Sequence, residues 1–338
     1  MSNILNIGII GAGRIGKVHA ATLAYRIPSA RVLAIADINL AAAQQTAGQF
    51  CIPIAVDDAA AVLANKDIEA VLICASTDTH ARLTIEAAQA GKHIFCEKPI
   101  AHDLQQIDAV LAAVAKAGVK LQVGFNRRFD ANFARVRQAI VAGEIGTPAL
   151  LHIISRDPGP PPVSYVKVSG GMFLDMTIHD FDMARFLVGA EVMEVYTQAA
   201  VTVDPAIGEA GDVDTAVIML KFANGVIGTI DNCRRASYGY DQRVEVLGSK
   251  GAIATANNYP NAATISDAAS VRRDLPLNFF MDRYTESFAN EVTAFVDAVL
   301  NDKPTPVTGH DGRVPVVMGL AAGKSYREGR PVKLSEIG

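Results

Sequence analysis

The sequence predicts an α/β protein in two parts: an N-terminal Rossmann domain with a doubly wound parallel sheet, and a C-terminal α+β domain with a large, mostly antiparallel open sheet. Up to about residue 124, short apolar runs alternate with alanine-rich amphipathic stretches, as in sheets whose parallel strands are joined by helices. After Gly124, long β-branched stretches follow one another with few helices between them, as in antiparallel sheets. We therefore expect domains at 1–124 and 125–338.

The individual elements follow from the same patterns. The apolar runs that predict parallel strands are 5–10, 31–36, 70–74, 93–96 and 120–123. The stretches that predict the second sheet are 149–155, 192–203, 213–222, 226–231 and 243–247, with a typical hairpin turn at Asn224-Gly225. Helical periodicity occurs at 14–26, 131–142, 286–300 and 312–327. The last two segments can pack either on the second sheet or back on the first domain.

A glycine-rich run, Gly11-Ala12-Gly13-Arg14-Ile15-Gly16, lies between the first strand and the first helix. In this position Gly11 permits a tight turn, Gly13 lets the backbone approach a pyrophosphate, and Gly16 lets the helix lie close to the strand. The helix N-terminus then presents unpaired N–H groups and its positive dipole end to an anion. The run therefore predicts a dinucleotide-binding site.

The second strand ends at an acidic residue, Asp37, which follows Gly16 by 21 residues. This agrees with the expected spacing of about 20 residues for the carboxylate that binds the adenosine ribose. Such an acid repels a 2′-phosphate, and no arginine follows it closely, so we expect NAD rather than NADP. The alternative is that Asp37 only caps the helix that starts near Leu40.

The composition limits the classes of protein to consider. The chain has 338 residues, of which 50% are hydrophobic, enough for two domains with buried cores. The formal net charge of −4 and the scattered arginines and lysines argue against a nucleic-acid partner. No apolar run reaches the roughly 18 residues that span a bilayer, and the first strand begins almost at Met1, which leaves no room for a signal peptide. We expect a cytoplasmic protein without a membrane partner.

Neither the cysteines nor the histidines predict a metal site. Cys51, Cys74, Cys96 and Cys233 are far apart in the sequence and lack the paired spacing of metal ligands. The seven histidines do not cluster with cysteine or with one another in a recognised ligand pattern. We therefore expect no metal ion.

A first candidate catalytic motif, Glu97-Lys98-Pro99, directly follows the strand at 93–96. It lies at the carboxyl edge of the parallel sheet, where doubly wound folds bind their ligands, so Lys98 is expected to face the cofactor crevice. Pro99 excludes the helical conformation for Lys98 and permits a cis peptide bond, which would hold the ammonium in one direction. The alternative is a solvated lysine at a strand end.

A second candidate motif begins at Gly170-Gly171 and contains Asp175 and His179. These two residues are four apart and so are expected to share one face of a helix. The double glycine would let a ligand approach the N-terminus of that helix. The neighbouring side chains are mostly apolar, so the alternative for His179 is a core histidine with satisfied hydrogen bonds.

Four motifs together resemble the Gfo/Idh/MocA family of nicotinamide-dependent oxidoreductases, and the resemblance covers almost the whole chain. They are the glycine run 11–16, Thr77-Asp78-Thr79-His80, Glu97-Lys98-Pro99 and Gly171-x3-Asp175-x3-His179. The resemblance implies a homotetramer built through the open face of the second sheet, and a catalytic group of Lys98, Asp175 and His179. The expected cofactor contacts are Gly11, Gly13, Arg14, Ile15, Gly16, Asp37, Ser76, Thr77, His80, Glu97 and Lys98.

Within the family, segments 155–162, 172–186 and 237–241 are most similar to the inositol 2-dehydrogenases. This implies NAD-dependent oxidation of myo-inositol to 2-keto-inositol (scyllo-inosose). Oxidation of a secondary alcohol needs a base for the hydroxyl proton and a group that tolerates a developing alkoxide. His179 suits the first role and Lys98 the second, with Asp175 orienting the ring or accepting a hydroxyl hydrogen bond. Whether His179 or Lys98 takes the proton first stays open.

A neutral polyol offers a hydroxyl on every carbon, so its binding site needs several donors and acceptors. Besides Asp175 and His179, the expected substrate-binding residues are Arg127, Arg128, Asp157 and Tyr240. The alternatives are that either arginine pairs with an acid on the surface and that the tyrosine only covers the sheet.

Two other functions stay open. One is a dehydrogenase for scyllo-inositol or another cyclic polyol or aldose, because related members differ mainly in the substrate loop. The other is a regulator that binds NAD without turnover, against which the intact Lys98, Asp175 and His179 argue.

Overall fold

The computed structural model describes residues 4–338. Up to residue 129 the elements are β1 (Leu5–Ile10), α1 (Arg14–Arg26), β2 (Ala30–Ala36), α2 (Leu40–Phe50), β3 (Ile54–Val56), α3 (Ala59–Ala64), β4 (Ala70–Ile73), α4 (Thr77–Gln89), β5 (His93–Glu97), α5 (Leu104–Ala117), β6 (Leu121–Gly124) and a 3₁₀ turn at Asn126–Phe129.

From residue 130 onward, strands predominate at first and helices follow. The elements are α6 (Ala131–Val141), β7 (Pro148–Arg156), α7 (Val163–Val166), α8 (Gly171–Asp175), α9 (Thr177–Val188), β8 (Val192–Ala200), α10 (Pro205–Glu209), β9 (Thr215–Phe222), β10 (Ile227–Cys233), β11 (Asp241–Gly248), β12 (Gly251–Ala254), β13 (Thr264–Ser266), β14 (Val271–Arg273), α11 (Phe280–Arg283), α12 (Thr285–Leu300), α13 (Gly309–Glu328), β15 (Val332–Lys333) and a 3₁₀ turn at Leu334–Glu336.

The chain divides into two compact units. The first unit runs up to Phe129 and also includes Glu286–Val314, and the second consists of Asp130–Thr285 and Pro315–Gly338. This division differs from a single boundary at residue 124, because the chain returns to the first unit after completing most of the second. The return has a physical cause in the apolar face of α12, which is part of the first unit's core.

The first unit contains the predicted parallel sheet. Its six strands have the order β3-β2-β1-β4-β5-β6, and every neighbouring pair is parallel. In the central strand β1, Ile9 lies beside Ile35 of β2 and Leu72 of β4, and all three are fully buried. The order reverses direction next to β1, which is the position where doubly wound sheets bind ligands. The predicted Rossmann fold is confirmed.

The core of the first unit also contains residues from α12. Val292, Phe295 and Val296 belong to the same buried cluster as Ile9 and Phe95 of the sheet. The ring centroids of Phe95 and Phe295 lie 5.9 Å apart in an edge-to-face contact, a geometry that adds to the burial of two large apolar side chains.

The second unit contains a seven-stranded sheet with the order β12-β11-β7-β10-β9-β8-β15. Only the pair β7 and β10 is parallel, so the predicted mostly antiparallel sheet is confirmed. Asn224-Gly225 lies in the hairpin between β9 and β10, where Gly225 has a φ of +88°. Such a left-handed conformation favours glycine.

One face of this sheet is buried and the other is open. Along β9, Ala216, Ile218 and Leu220 are buried, whereas Val217 and Met219 between them are about half exposed. Helix α9 packs against β7 and β10 of the same unit. The alternation has the period of two expected for a strand covered on one side only.

No helix within residues 4–338 is both long enough and apolar enough to cross a lipid bilayer.

Candidate active site

The glycine turn after β1 has the geometry of a phosphate cradle. Gly11 has a φ of +109°, and a Cβ atom built on it would lie 2.5 Å from the backbone of Cys74. A Cβ on Gly16 would collide with the carbonyl oxygen of Gly11, whereas one on Gly13 would meet nothing within 4 Å. Gly13 is also the N-cap of α1, and no side chain among residues 4–338 caps the helix there. The first-turn N–H groups therefore suit an anionic ligand.

The carboxylate of Asp37 is held beside this turn. Its Oδ2 accepts a hydrogen bond from Ala12 N at 2.7 Å, and its Oδ1 accepts one from Asn39 N at 2.8 Å. The N-cap of α2 is Asn39, whose side chain accepts a hydrogen bond from Ala42 N at 3.4 Å. Asp37 is thus not the cap of that helix, contrary to the alternative interpretation of the sequence.

The residue after Asp37 was not singled out by the sequence analysis. Ile38 is an apolar side chain that is 97% exposed. An aliphatic side chain next to the acid that is predicted to bind ribose is suited to contact an adenine ring. The signal in the sequence was its position directly after Asp37.

A second helix N-terminus lies at the end of β4. Ser76 is the exposed N-cap of α4 and Thr77 is its first residue, so both predicted cofactor residues lie at the carboxyl edge of the parallel sheet. The structure gives His80, the third predicted residue of this segment, a buried position with both ring nitrogens against backbone carbonyls. Nδ1 lies 2.8 Å from Pro99 O, and Nε2 lies 3.0 Å from Ala75 O.

Two carbonyl partners call for two N–H donors on the His80 ring, and hence for the imidazolium form. Burial disfavours that charge, but Cys96 and the two carbonyls of Pro99 and Ala75 outweigh it and raise the pKa of His80 to about 9. His80 therefore connects the turn after β4 to the peptide that follows Lys98. It supports the predicted cofactor loop from inside rather than through a ring nitrogen directed at a ligand.

Lys98 directly follows β5 and so lies at the same edge of the sheet. The Lys98–Pro99 peptide bond is cis, and Lys98 is half-buried rather than a fully solvated lysine. The preceding side chain, Glu97, points into the first unit, where its Oε1 lies 2.7 Å from Nε2 of His19. A Cβ on the neighbouring Gly124 would lie 2.9 Å from Glu97 Oε2, so this strand pair requires a glycine. The structure thus gives the Glu97 side chain a protein partner, and its contact with the cofactor stays a prediction.

The two predicted arginines of the first unit lie in the 3₁₀ turn Asn126–Phe129. Arg127 is buried, and Nη2 of Arg128 donates to Oδ1 of Asp311 at 3.0 Å. Burial opposes the charge of Asp311, but Arg128 and hydrogen bonds from Thr308 lower the pKa of Asp311 to about 2. The ion-pair alternative therefore describes Arg128, although the pair is partly buried rather than on the surface.

In the second unit, a buried arginine brings two predicted residues together. Arg234 lies with its Nη2 3.1 Å from Asp175 Oδ2 and its Nη1 3.5 Å from Asp157 Oδ2. The hydroxyl of Tyr165 donates to Asp175 Oδ1 at 2.9 Å. The sequence analysis missed Arg234, whose only signal was its position directly after β10.

Asp175 and His179 do not share one continuous helix, which corrects the prediction. Asp175 is the last residue of α8 and His179 is the third residue of α9, with a break at Met176. Helix α8 begins at Gly171 with Gly170 as its N-cap, and the φ angles of these two glycines are +75° and +85°.

The predicted ligand position at the N-terminus of α8 is also wrong. The carboxylate of Asp212 accepts hydrogen bonds from Met172 N at 3.0 and 3.1 Å, and a Cβ on Gly171 would lie 2.8 Å from it. The double glycine therefore makes room for a protein carboxylate rather than for a ligand.

A buried network fixes the segment that carries His179. Thr177 donates to Asn232 Oδ1 at 2.6 Å, and Asn232 Nδ2 donates to Asp180 Oδ2 at 2.9 Å. His179 is half-buried and lies between these two anchored residues of α9. It is thus not a fully buried core histidine. The sequence analysis did not find Asn232, because its partners are distant in the chain.

Tyr240 lies inside the second unit. It is 7% exposed, and its ring meets that of Tyr284 edge-to-face with the centroids 6.0 Å apart. The nearby Tyr238 donates to Asp241 Oδ2 at 2.5 Å and accepts from Arg156 at 3.2 Å. The structure therefore gives Tyr240 a packing contact in addition to any contact with substrate.

One group of side chains has metal-ligand chemistry, although the sequence predicted no metal. His19, Glu97 and Glu291 of the first unit each place one ligand-type atom within 4.8 Å of the others. Glu97 is the last residue of β5, and the other two residues come from α1 and α12.

Two family models match the chain. The model described as "Oxidoreductase family, NAD-binding Rossmann fold" matches residues 5–125, and the model described as "GFO/IDH/MocA C-terminal domain" matches residues 133–254. The first matched segment contains the glycine turn, Asp37 and Lys98. The second contains Asp175 and His179.

Three curated proteins are similar over nearly their whole length. YrbE, an uncharacterized oxidoreductase of Bacillus subtilis, is 48% identical over 99% of this chain and 98% of its own length. Myo-inositol 2-dehydrogenase of Thermotoga maritima is 46% identical over 98% of this chain and 99% of its own. Inositol 2-dehydrogenase of Rhizobium meliloti is 47% identical over 98% of this chain and 99% of its own length.

Solved structures agree in fold. A probable dehydrogenase from Thermotoga maritima superimposes with a TM-score of 0.97 at 46% identity and covers 99% of this chain and 100% of its own. The scyllo-inositol dehydrogenase of Lactobacillus casei, solved with NAD(H) and scyllo-inositol, has a TM-score of 0.92 at 29% identity and covers 98% of this chain and 100% of its own.

Proposed function

This chain belongs to the Gfo/Idh/MocA family of oxidoreductases, and we propose that it is an NAD-dependent dehydrogenase that oxidises myo-inositol to 2-keto-inositol (scyllo-inosose). The observation that carries the proposal is the similarity of 46–47% over nearly the whole chain to two proteins named as inositol 2-dehydrogenases. The presence of Lys98, Asp175 and His179 in this chain supports turnover rather than cofactor sensing alone.

The residues of the first unit fit NAD. The turn at Gly11, Gly13 and Gly16 offers backbone N–H groups to a pyrophosphate, and Arg14, Ile15, Ser76 and Thr77 belong to the two helix N-termini at that edge. Asp37 is fixed by two backbone donors, so its carboxylate can accept the ribose hydroxyls and repel a 2′-phosphate. When bound, the cofactor supplies the acceptor for a hydride.

The reaction removes a hydride from the carbinol carbon and a proton from its hydroxyl group. In our proposal His179 accepts the hydroxyl proton, and the ammonium of Lys98 stabilises the negative charge that develops on the oxygen. Arg234 and Tyr165 hold Asp175, which accepts a substrate hydroxyl or orients the imidazole. Which of His179 and Lys98 accepts the proton first is a question for pH-dependent kinetics.

Recognition of the substrate falls to polar groups of the second unit together with Arg127. Asp157 and Asp175 supply acceptor oxygens, and the guanidinium of Arg234 between them supplies donors. A polyol has a donor and an acceptor in each hydroxyl group, so this alternation of acid and guanidinium suits it. Tyr240 is proposed as a further contact, and Arg128 as a weaker one because Asp311 already pairs with it.

A second candidate substrate is scyllo-inositol, because the structure solved with scyllo-inositol has the same fold over 98% of this chain at 29% identity. Initial rates with purified protein, NAD and either epimer test the proposal through NADH absorbance. The higher kcat/KM should belong to myo-inositol. A higher kcat/KM for scyllo-inositol or for an aldose would assign that compound as the substrate instead. Tight NAD binding without turnover on any polyol would favour a regulator.

We also propose that the chain forms a homotetramer through the open face of the second sheet. Leu247 of β11, Leu150 of β7 and Ile227 of β10 lie in one row across the register, and each is nearly half exposed. Val217 and Met219 of β9 extend this apolar surface. Contiguous apolar patches of this kind mark protein contacts in soluble domains.

We propose that the protein is cytoplasmic. Four cysteines, Cys51, Cys74, Cys96 and Cys233, are all free thiols, as is usual for proteins kept under reducing conditions.

A further inference from the structure

A buried cluster of three ionisable side chains lies behind Lys98. His19 comes from α1, Glu97 is the last residue of β5, and Glu291 comes from α12, all within the first unit. Nε2 of His19 lies 2.7 Å from Glu97 Oε1, and one atom from each of the three groups lies within 4.8 Å of the others. His19 and Glu291 are both 0% exposed.

The surroundings of the cluster are mostly aromatic. The His19 ring meets Phe95 and Phe288 edge-to-face, with centroids 5.3 and 6.0 Å away. The side chain of Gln122 donates to the backbone carbonyl of Glu291 at 2.8 Å, and not to its carboxyl group. Within residues 4–338, neither carboxyl oxygen of Glu291 has a hydrogen-bond partner.

Two carboxylates cannot both stay ionised in such a place. Burial raises the pKa of Glu291 well above its usual range, and the charge of Glu97 raises it further. The carboxyl group of Glu97 has a hydrogen-bond partner in His19, whereas that of Glu291 has none within residues 4–338. The extra proton therefore belongs on Glu291.

We propose that Glu291 is kept as a neutral carboxylic acid beside the hydrogen-bonded pair of Glu97 and His19, and that this cluster positions the end of β5 from which Lys98 extends. Glu97 directly precedes Lys98, so fixing its carboxylate fixes the backbone that carries the ammonium. His19 lies one turn after Gly16 on α1, so the same cluster joins the helix of the phosphate cradle to the strand of Lys98. For its kinetic readout the inference rests on the proposed dehydrogenase function.

A divalent cation is the rival occupant, because an imidazole and two carboxylates are common ligands. The distance between His19 Nε2 and Glu97 Oε1 favours a hydrogen bond between them over a shared metal ion. Two ligands bound tetrahedrally to zinc at about 2.0–2.1 Å lie ~3.3 Å apart, whereas these two atoms are 2.7 Å apart and at hydrogen-bond length.

The protonation state can be measured without activity. Infrared spectra of the full-length protein at neutral pH, with and without ¹³C-glutamate labelling, should contain a carboxylic acid C=O stretch that shifts with the label. Glu291→Gln should abolish this band, and Glu286→Gln, an exposed position on the same helix, should leave it intact. Absence of the band from the wild type, or its survival in Glu291→Gln, would overturn the proposal. So would a stoichiometric metal ion found by elemental analysis and lost in His19→Ala.

The positioning role makes a kinetic prediction. Glu291→Ala should lower kcat by about tenfold or more, as small misplacements of a reacting group do, while the Kd for NAD stays within about twofold. Glu291→Gln keeps the neutral shape and should restore kcat to within about threefold of the wild type. Equal losses in both variants would contradict the role of a neutral acid. If Glu291→Ala does not fold, the infrared comparison of wild type with Glu291→Gln still decides the matter.

The two proposals fail in different ways. Wild-type protein that shows the labelled band but oxidises no polyol would refute the dehydrogenase function and leave the cluster standing. An active wild type without the band would do the reverse.

Discussion

Oδ2 of Asp37 accepts a hydrogen bond from Ala12 N at 2.7 Å, so the acid at the end of β2 and the glycine turn after β1 are held as one surface. If this carboxylate selects NAD, Asp37→Ala combined with Ile38→Arg should lower the ratio of kcat/KM for NAD to that for NADP by at least about tenfold, since repulsion of the 2′-phosphate is replaced by attraction. Steady-state kinetics with both cofactors measure the ratio. Asp58→Ala, at the cap of another helix, is the matched control, and an unchanged ratio in the double variant would leave Asp37 with a structural role only.

Lys98 and His179 carry the proposed chemistry from the two units. Replacing either by alanine should reduce kcat on myo-inositol by at least about a hundredfold, as expected for loss of a proton acceptor or of alkoxide stabilisation. NAD binding, measured by calorimetry, should stay nearly intact. Lys116→Ala, at an exposed position of α5, serves as the control. Near-normal turnover would remove the tested residue from the mechanism.

Arg234 links two acids of the proposed substrate site. Arg234→Ala leaves Asp175 without its cation, and breaking a buried ion pair in this way costs roughly 3 kcal/mol of folding free energy. We expect a lower Tm and a kcat/KM for myo-inositol reduced by at least about tenfold. Arg234→Lys should not restore the activity, because an ammonium cannot contact both Asp157 and Asp175 as the guanidinium does. Arg235→Lys, at the exposed neighbouring position, controls for general effects; full activity in Arg234→Lys would contradict the two-acid role.

His80 predicts a dependence of stability on pH. Its pKa is about 9 in the folded protein and about 6.5 when unfolded, so its contribution is complete below about pH 6.5 and is lost as the pH rises through about 9. His80→Asn should therefore reduce the free energy of unfolding by roughly 3 kcal/mol more below pH 6.5 than above pH 9. Urea titrations at both pH values give the difference. His310→Asn, at an exposed position, should show no such change, and a pH-independent loss in His80→Asn would argue for a neutral His80.

The open face of the second sheet predicts the oligomeric state. Met219→Asp places a charge within the proposed interface and should convert the proposed tetramer to smaller species in light-scattering measurements after gel filtration. Val141→Asp changes an exposed apolar residue of α6, which is not a strand of that sheet, and should leave the mass unchanged. A tetramer that persists in Met219→Asp would place the contact elsewhere.

The first unit could be predicted well because its signals are local. Buried strands such as Leu5–Ile10 read as apolar runs, and the constraints on Gly11 and Gly16 arise within a single turn. The Lys98 position followed from the end of one strand. The position of Asp37 followed from a fixed spacing, and the structure places its carboxylate against Ala12 of the glycine turn.

The second unit was harder because its contacts depend on strand register. Asn232 meets Thr177 and Asp180, and Asp212 meets Met172, only after the sheet and the helices have formed. Spacing alone placed Asp175 and His179 on one helix and could not reveal the break at Met176 between α8 and α9.

The division of the first unit into two chain segments affects how the protein can fold during synthesis. Val292, Phe295 and Val296 complete a core whose other buried members are encoded before residue 100, so the nucleotide-binding half emerges from the ribosome with part of its interior still missing. It becomes complete only when about nine-tenths of the polypeptide has been made. A fragment ending at Phe129 would remove Phe295 from the ring of Phe95, which makes such a truncation prone to aggregate rather than to yield a stable cofactor-binding module.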